Sequence, residues 1–396
     1  MIVIMKKSFT IAVAILATIV SCSKTENVTS EKIHGFTMGA ELEQTSPANK
    51  ADLNNSLQTL WATGDKIGIH IQNGVNDWST DQMFTLASGN GTTSGTFHCD
   101  EEYNESDHWD TFAFFPFSYV SSGGSTDTGS NVGGDQKMYF NMPNAYYEYT
   151  SGKSFLPLLA NLGESGVKHP TSASFKYVGG AVVLNLTKVP GAAKSLGMSI
   201  DGVKINGWQN GVAQNTVGSA SGIITGGDGD NTTWLNFDSS GSEDRNFKFV
   251  FPVPTISSTS NITFTMFDKN DIKIWQKTAS SQPAIGRAQA LVMPDKAVSP
   301  IPQNMYLVGY WNGADQNTGV AFSNSTGKVS LSHSGDGYVC LRAADTDNWY
   351  MTDAYVGSGN TATMKCQSGN KLYVPDGTQT FTMTYNSDGS ITISYE

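Results

Sequence analysis

The stretch Leu60-Trp61-Ala62-Thr63-Gly64-Asp65-Lys66-Ile67-Gly68-Ile69 holds the local signals that decide the fold of this chain. Trp61 is large and apolar, so we expect it to anchor the entry of a strand into a core. Gly64-Asp65 is a turn signal, because glycine tolerates positive φ and the aspartate side chain accepts hydrogen bonds from backbone N–H groups. From Ile67 to Ile71 every second residue is isoleucine, which predicts a core strand.

The same period-two alternation recurs along most of the chain. Phe247, Phe249 and Phe251 share one face of a predicted strand that ends at Pro252. Two pairs of alternating runs flank turn signals and predict hairpins: 262–266 with 272–274, and 381–385 with 391–395. Helical periodicity is nearly absent outside the N-terminal leader. The sequence therefore predicts an all-β fold built of β-sandwiches.

Composition narrows the class of protein further. The 396 residues include 24 basic and 35 acidic side chains, so the formal net charge is −11, and only 15% of residues are charged. An acidic chain is a poor match for nucleic acid or for polybasic attachment to anionic lipid. The abundance of Gly, Ser, Thr and Asn is typical of extracellular β-structure, in which turns use these residues.

The N-terminus predicts export. Lys6 and Lys7 precede an apolar run from Phe9 to Val20, and Ser21-Cys22 follows it. The run is too short to span a bilayer as a helix. A small residue before a cysteine in this position resembles a bacterial lipoprotein cleavage box, so we expect residues 1–21 to be a signal peptide and Cys22 to be acylated. The alternative is an ordinary secretory signal with an incidental cysteine.

Composition and proline breaks divide the remaining chain. Residues 22–50 are polar and predict a tether with a candidate first strand near Ile33 to Met38. A break near Pro170 and a proline cluster before Asn304 then delimit three modules of ordinary domain size. They are expected at 51–170, 171–298 and 299–396.

The other cysteines and the titratable residues give little chemistry. Cys340 and Cys366 lie in the same C-terminal module and are candidates for a disulfide in an oxidising compartment, with buried thiols as the alternative. None of the six histidines lies in a catalytic or metal-ligating frame. Two short runs, at 228–231 and 345–348, have calcium-like oxygen spacing without the full loop pattern. We expect no catalytic residues, no metal site and no cofactor.

An ordered set of local patterns resembles the fimbrillin (type V pilin) family of surface lipoproteins. The opening stretch is similar to a W-x-x-G-D-x-I-G-V pattern of that family. Further matches follow in family order across about residues 30 to 298: Phe84-Thr85-Leu86, Gly95-Thr96-Phe97, Phe112-Ala113-Phe114-Phe115-Pro116-Phe117, Pro157-Leu158-Leu159-Ala160, Ser174-Phe175-Lys176-Tyr177 and Phe249-Val250-Phe251-Pro252.

This resemblance implies tandem transthyretin-like β-sandwiches, an outer-membrane lipid anchor and assembly with other fimbrial subunits by strand addition. In the family, trimming after a basic residue removes the first strand and opens a groove for a neighbour's strand. The chain has no arginine before Arg245, and Lys50 is the candidate processing residue in its place. The resemblance therefore leaves open whether the lipid-bearing segment is retained.

The C-terminal module resembles a different group. Its opening, from Met305 to Asn312, and its final hairpin are similar to the small β-sandwiches of glycan-binding outer-membrane lipoproteins. Aromatic rings stack on sugar C–H faces while neighbouring amides hydrogen-bond hydroxyl groups. The candidate glycan-binding residues are accordingly Trp311, Asn312, Trp349, Tyr350 and Tyr355. The alternative is that these rings fill the core of the module.

The sequence therefore predicts a non-enzymatic adhesion lipoprotein on the cell surface, acting as a fimbrial tip or accessory subunit. Its expected partners are other fimbrial subunits and a glycan or host-surface ligand. The alternative function is a non-polymerising lipoprotein that binds glycans for a polysaccharide-uptake system. A fimbrial shaft subunit is the weaker alternative.

Overall fold

The computed structural model describes most of the chain outside its N-terminus. The described residues are 36–43, 60–73, 81–100, 108–117, 129–132, 137–142, 147–148, 156–162, 171–209, 211–219, 221–311, 314–315, 319–354 and 356–396. Within these ranges there is no α-helix, and one 3-10 turn spans Gln214–Thr216. The prediction of an all-β fold is confirmed.

Thirty strands make up the described part of the chain. The first ten are β1 (Phe36–Leu42), β2 (Lys66–Asn73), β3 (Asp81–Ser88), β4 (Ser94–Cys99), β5 (His108–Phe115), β6 (Gly129–Val132), β7 (Lys137–Met142), β8 (Tyr147–Glu148), β9 (Leu158–Asn161) and β10 (Ser172–Tyr177). The next ten are β11 (Gly180–Val189), β12 (Ala193–Ile200), β13 (Gly207–Trp208), β14 (Val212–Ala213), β15 (Thr232–Asn236), β16 (Arg245–Val253), β17 (Ser260–Asp268), β18 (Lys273–Gln282), β19 (Ala290–Val292) and β20 (Lys296–Ala297). The last ten are β21 (Met305–Trp311), β22 (Ala314–Asp315), β23 (Val320–Ala321), β24 (Lys328–His333), β25 (Gly337–Ala343), β26 (Asn348–Met351), β27 (Thr361–Cys366), β28 (Leu372–Val374), β29 (Gly377–Tyr385) and β30 (Ile391–Tyr395).

The first module is a closed barrel in the order β1-β10-β9-β5-β2-β3-β4. β1 closes it, because this strand runs parallel to β10 and antiparallel to β4. The sequence predicted a sandwich here, with two separate layers. In the structure the sheet is continuous, because β1, which lies within the predicted tether, pairs with β10 on one edge and with β4 on the other.

Trp61 occupies the centre of this barrel. Its side chain is 1% exposed and meets Phe97, Phe115 and Phe175 edge-on, with ring centroids 4.9, 5.6 and 5.5 Å away. The indole Nε1–H donates to the carbonyl oxygen of Ala40 at 3.2 Å. Trp61 therefore joins β4, β5 and β10 through its rings and β1 through a hydrogen bond.

The turn after Trp61 forms as predicted. The backbone N–H of Ala62 donates to Asp65 Oδ2 at 2.7 Å, and Gly64 has a φ of 89°. Gly95 on β4 leaves room for the indole, since a Cβ there would lie 2.8 Å from Trp61 Cδ1. A side chain at position 95 would displace the tryptophan from the core.

The second module consists of two facing sheets. One contains β16, β11, β19 and β20, and the other has the order β18-β17-β12-β15-β8. Phe249 and Phe251 of β16 are fully buried between the sheets, as their alternation predicted. The β17–β18 hairpin is also confirmed, with its strands antiparallel around the turn at 269–272.

The modules are divided less sharply than the sequence suggested. β10 follows the predicted boundary at residue 170 but lies in the first barrel, between β1 and β9. β7 of the first module pairs with β13 and β14, which come from the second. This small sheet supplies Met138, Phe140 and Val212 to a cluster with Phe112 and Phe114 on the outside of the barrel. The first two modules therefore share apolar contacts.

The third module is built from one ten-stranded sheet in the order β22-β21-β25-β26-β27-β30-β29-β24, with β23 and β28 pairing alongside. The predicted terminal hairpin is present as β29 and β30. β30 also pairs with β27, so both of its edges are occupied. Ile391 and Ile393 point into the core and are fully buried. The last strand is therefore an internal strand of its own module.

A buried carboxyl group joins the second and third modules. Asp268 is 0% exposed and accepts hydrogen bonds from the backbone N–H groups of Asn270 and Ile272, both at 2.9 Å. Its Oδ2 accepts from the Tyr385 hydroxyl at 2.9 Å, and Asn270 Nδ2 donates to the Tyr350 hydroxyl at 3.0 Å. The β17–β18 turn is thus held by the third module.

Backbone bonds and apolar packing extend this junction. A single core cluster contains residues of both modules, among them Phe264 and Met266 from β17 and Tyr350 and Phe381 from the third module. Three backbone bonds between the modules lie near it: Ala192 N to Ser387 O at 2.7 Å, Ile301 N to Ile274 O at 2.8 Å and Gln303 N to Lys273 O at 2.8 Å. The third module is consequently docked on the second rather than tethered to it.

The position of Trp61 leads to a stability prediction. Trp61→Ala should lower the free energy of unfolding by about 3–5 kcal/mol, because it leaves a large cavity at the meeting point of four strands. Trp61→Phe should cost less, since a ring remains. Trp349→Ala is the matched control: this tryptophan is half-buried on an outer face, and its loss should cost about 1 kcal/mol or less. Urea unfolding measures the free energy of unfolding of all three variants. Equal losses at positions 61 and 349 would contradict the placement of Trp61 in the barrel core.

A second prediction concerns Asp268. Burial raises the pKa of its carboxyl group, against the opposing effect of the hydrogen bonds from Ile272 and Tyr385. With the folded pKa above the unfolded value of about 3.9, the folded state binds more protons between the two values. The free energy of unfolding contributed by Asp268 should therefore fall as pH rises through that window.

Asp268→Asn removes this titration while keeping an acceptor for the backbone N–H groups and a donor toward Tyr385. The difference in unfolding free energy, wild type minus Asp268→Asn, should decrease as pH rises from about 4. Denaturant unfolding at several pH values measures it. A difference that stays constant or grows with pH would show that the pKa is not raised.

Candidate functional site

β1 is held in the barrel by its two edges and one face. Met38, Ala40 and Leu42 alternate along the strand and are at most 5% exposed, packed in the barrel core. The register pairs Gly39 with Ser172 on β10 and with Thr96 on β4. Removing this strand would expose two edges and three pockets at the spacing of alternate strand residues. Such a groove is suited to an incoming strand.

An ion pair fixes the end of β1 to the second module. Arg287 Nη1 lies 2.6 Å from Glu43 Oε2, and both side chains are largely buried, at 22% and 16% exposed. Glu43 Oε2 also accepts from the backbone N–H of Tyr177, and Glu43 N donates to Phe175 O at 2.9 Å. Departure of β1 therefore requires this charge-assisted contact to break.

The third module carries a set of aromatic and cationic side chains on the face of its sheet that points away from the core. We call this set the aromatic face; it comprises Tyr306, Tyr310, Tyr338, Arg342, Trp349, Lys371 and Tyr373. Val339 and Leu341 alternate with Tyr338 and Arg342 along β25, and they point into the core instead.

One row of the aromatic face crosses three strands. Tyr310 on β21 pairs with Tyr338 on β25, which pairs with Tyr373 on β28. Tyr338 and Tyr373 are 6.0 Å apart in edge contact, and Tyr338 is 37% exposed. Lys371 Nζ lies 3.3 Å from the centre of the Tyr310 ring. The hydroxyl of Tyr373 hydrogen-bonds Asp336, and this lowers the pKa of that exposed carboxyl group.

A second row contains the arginine. Tyr306 pairs with Arg342, and Arg342 pairs with Trp349 on β26. The guanidinium carbon lies 5.8 Å from the Tyr306 ring centre and 5.9 Å from that of Trp349. Arg342 Nε is buried and makes no hydrogen bond among the described residues. Between the two rows, Val308 and Cys340 pair side by side and are fully buried.

The predicted glycan-binding residues are divided by the structure. Trp349 lies on the aromatic face. Trp311 is the last residue of β21, and its side chain, together with Asn312 and Tyr355, lies outside the described residues. The prediction that Tyr350 binds a glycan is wrong. Its side chain is 0% exposed and its hydroxyl accepts a hydrogen bond from Asn270, so Tyr350 belongs to the core and cannot contact a surface ligand.

The candidate disulfide is wrong, since Cys340 and Cys366 are not bonded to each other. Cys366 packs against the core cluster that contains Val339 and Leu341. Cys340 lies between these two residues on β25 and therefore points to the opposite face of the strand. The two thiols are on different sides of the sheet.

The remaining predicted sites fall outside the described residues or show no ligand cluster. Cys22 and Lys50 both lie in the N-terminal ranges that the structure does not describe. Across the described ranges, no three His, Cys, Asp or Glu side chains converge as a metal site would require. Asp345, from one calcium-like run, instead accepts hydrogen bonds from Asn304. No helix in the described part is long and apolar enough to span a membrane.

Sequence reasoning missed most of the aromatic face. Tyr306, Tyr310, Tyr338, Arg342 and Tyr373 are spread over 68 positions and meet only through the pairing of β21, β25 and β28. The alternation of Tyr306, Val308 and Tyr310 on one side of a strand was the available signal.

Comparisons with known proteins give structural likeness only. No family model matches the sequence, and neither does any curated protein. The chain is similar in structure to a candidate cell adhesion protein from Bacteroides ovatus, with 11% identity over 66% of this chain and 91% of the other, at a TM-score of 0.34. It is also similar to a fimbrial protein from Bacteroides ovatus, with 13% identity over 72% and 53% at a TM-score of 0.27. A third is the fimbrial anchor protein Mfa2 of Porphyromonas gingivalis, with 10% identity over 78% and 97% at 0.26. Overlaps at this level do not define a function.

The ion pair at the end of β1 gives a prediction. Glu43→Gln and Arg287→Met should each lower the free energy of unfolding, because each leaves a largely buried partner without its counter-charge. A double-mutant cycle should return a coupling of about 1–2 kcal/mol. Lys194 and Asp271, an exposed pair at 2.7 Å, are the control and should couple by less than about 0.5 kcal/mol. Equal coupling in the two cycles would show that the pair at Glu43 does not hold the strand.

Proposed function

We propose that this chain is a surface adhesion subunit of the fimbrillin type, delivered to the outer membrane by acylation of Cys22 and joined to other subunits by strand addition. The observation that carries the proposal is the setting of β1. This strand closes the barrel, fills three core pockets and pairs on both edges, and the polar residues 44–59 separate it from the rest of its module. A strand so placed can be exchanged for another with the same alternation.

The pairing of β30 disfavours its use as a donor strand. A shaft subunit has to accept a strand and also donate one. The last strand here, β30, is paired with β27 and β29 and has two fully buried isoleucines. Donating it would open the core of the third module. The chain is thus suited to accept a strand at β1 without donating β30, as expected of a tip or accessory subunit.

A second function is favoured by the aromatic face. If residues 22–50 are never removed, β1 stays in the barrel and the protein is a lipid-anchored monomer. The aromatic face would then serve a non-polymerising lipoprotein that binds glycans for uptake. The two functions differ in the fate of the N-terminus and not in the chemistry of the third module.

N-terminal sequencing and intact mass of the native surface protein separate the two functions. The tip or accessory role predicts an N-terminus near Ala51, no lipid, and co-purification with fimbriae in negative-stain images. Retention of residues 22–50 predicts an acylated Cys22 and a full-length monomer in the membrane fraction. A leaderless protein without acyl mass and without fimbriae would contradict both.

Lys50→Gln tests the processing step, because it removes the candidate processing residue. Under the tip or accessory role it should leave the chain full length and acylated. Lys66→Gln, an exposed lysine at the start of β2, should process normally. Normal trimming of Lys50→Gln would assign cleavage to another position.

A further inference from the structure

The aromatic face holds two cations that have no carboxylate partner among the described residues. Arg342 lies between the Tyr306 and Trp349 rings, and Lys371 lies over Tyr310. Several other cations of the described chain are paired with acids, as in Lys194–Asp271, Arg287–Glu43 and Lys365–Asp353.

The Tyr306 and Trp349 rings flank the Arg342 guanidinium, but its Nε–H has no hydrogen-bond acceptor among the described residues. Cation–π contact with the Tyr306 and Trp349 rings helps to hold the guanidinium in place. It does not replace hydrogen bonds, and Arg342 Nε is buried with no acceptor in the described structure. A buried donor without a partner is destabilising. An arriving carboxylate would be held by the terminal guanidinium nitrogens, whose planar arrangement matches two oxygens in one plane.

The aromatic rings near Arg342 indicate which class of molecule carries the hydrogen-bond acceptor. The row Tyr310, Tyr338 and Tyr373 spans three paired strands, about 10 Å across. Aromatic rings in such a row stack against the C–H faces of pyranose rings, and Tyr hydroxyls hydrogen-bond sugar hydroxyls. A simple anion would use the arginine and leave these rings without a role.

We propose that the aromatic face binds glycans containing carboxylated sugars, with the carboxylate on Arg342, a second negative or hydroxyl-rich position near Lys371, and sugar rings on the tyrosine row. The inference deepens the adhesion part of the proposed function, because it names the ligand class of the third module. It does not depend on strand addition.

Calorimetry with the chain from Ser23 onward tests the proposal on two matched probe pairs. The first pair is tetragalacturonate and its methyl ester, and the second is 3′-sialyllactose and lactose. We expect at least one acid to bind, and its neutral partner to bind at least tenfold more weakly. Affinity should also fall with added salt, since salt screens the attraction between opposite charges at the surface. Failure of both acids to bind would overturn the proposal, and so would equal binding of acid and neutral partners.

Variants locate the site. Arg342→Met should weaken the acid at least tenfold, and Arg342→Lys should restore only part of the loss, because lysine lacks the planar fork. Tyr338→Ala should weaken acid and neutral glycans alike. Lys328→Gln, an exposed lysine on β24 at the opposite end of the sheet from β21, is the control and should leave binding unchanged. Urea unfolding of each variant shows whether it is folded, and unchanged binding by folded Arg342→Met would overturn the proposal.

Poly-glutamate distinguishes an acidic protein partner from a glycan. Binding of poly-glutamate as tight as that of the acidic sugars would assign the face to a protein ligand and contradict the proposal. The assay uses soluble monomer, so its failure leaves the fate of the N-terminus open. Failure of the N-terminal experiment likewise leaves this binding result intact.

Discussion

The contact between Trp61 and the first strand is the interaction on which the architecture depends. The indole joins rings from β4, β5 and β10 and donates a hydrogen bond to Ala40 on β1. Residues 44–59 connect β1 to the rest of its module in sequence, and its place is set by strand pairing, by this core and by the ion pair between Glu43 and Arg287. The same residue therefore stabilises the fold and holds the strand that a partner would replace.

Contacts between neighbouring modules are the second constraint on the architecture. The barrel packs on the second module through shared apolar contacts, and Asp268 with Tyr385 joins the second module to the third. A surface on the third module consequently has a fixed position relative to β1 in the first. For an adhesion subunit, this arrangement would transmit load from ligand to neighbour through packed cores rather than through a flexible linker.

Local signals predicted the local structure, and non-local pairing produced the rest. The Trp61 turn and both hairpins could be predicted, because each depends on neighbours within about a dozen residues. The closure of the barrel depends on pairing Gly39 with Ser172, which no local pattern reveals. Trp349 and Tyr350 could not both face a ligand, since adjacent strand residues point to opposite faces. That alternation would have removed one of the two residues from the site in advance, whereas the aromatic face also required the register of three distant strands.

The proposed assembly by strand addition requires that the first barrel can exchange β1 for another strand. The direct measurement is hydrogen exchange on a chain that begins at Ala51, with and without a synthetic peptide of residues 36–43. We expect 1:1 binding that restores protection to the amides of β4 and β10 that face β1, and no binding of a peptide with Met38 and Leu42 changed to Asp. A truncated chain whose β4 and β10 amides are equally protected without the peptide would contradict it, because the groove would then not exist.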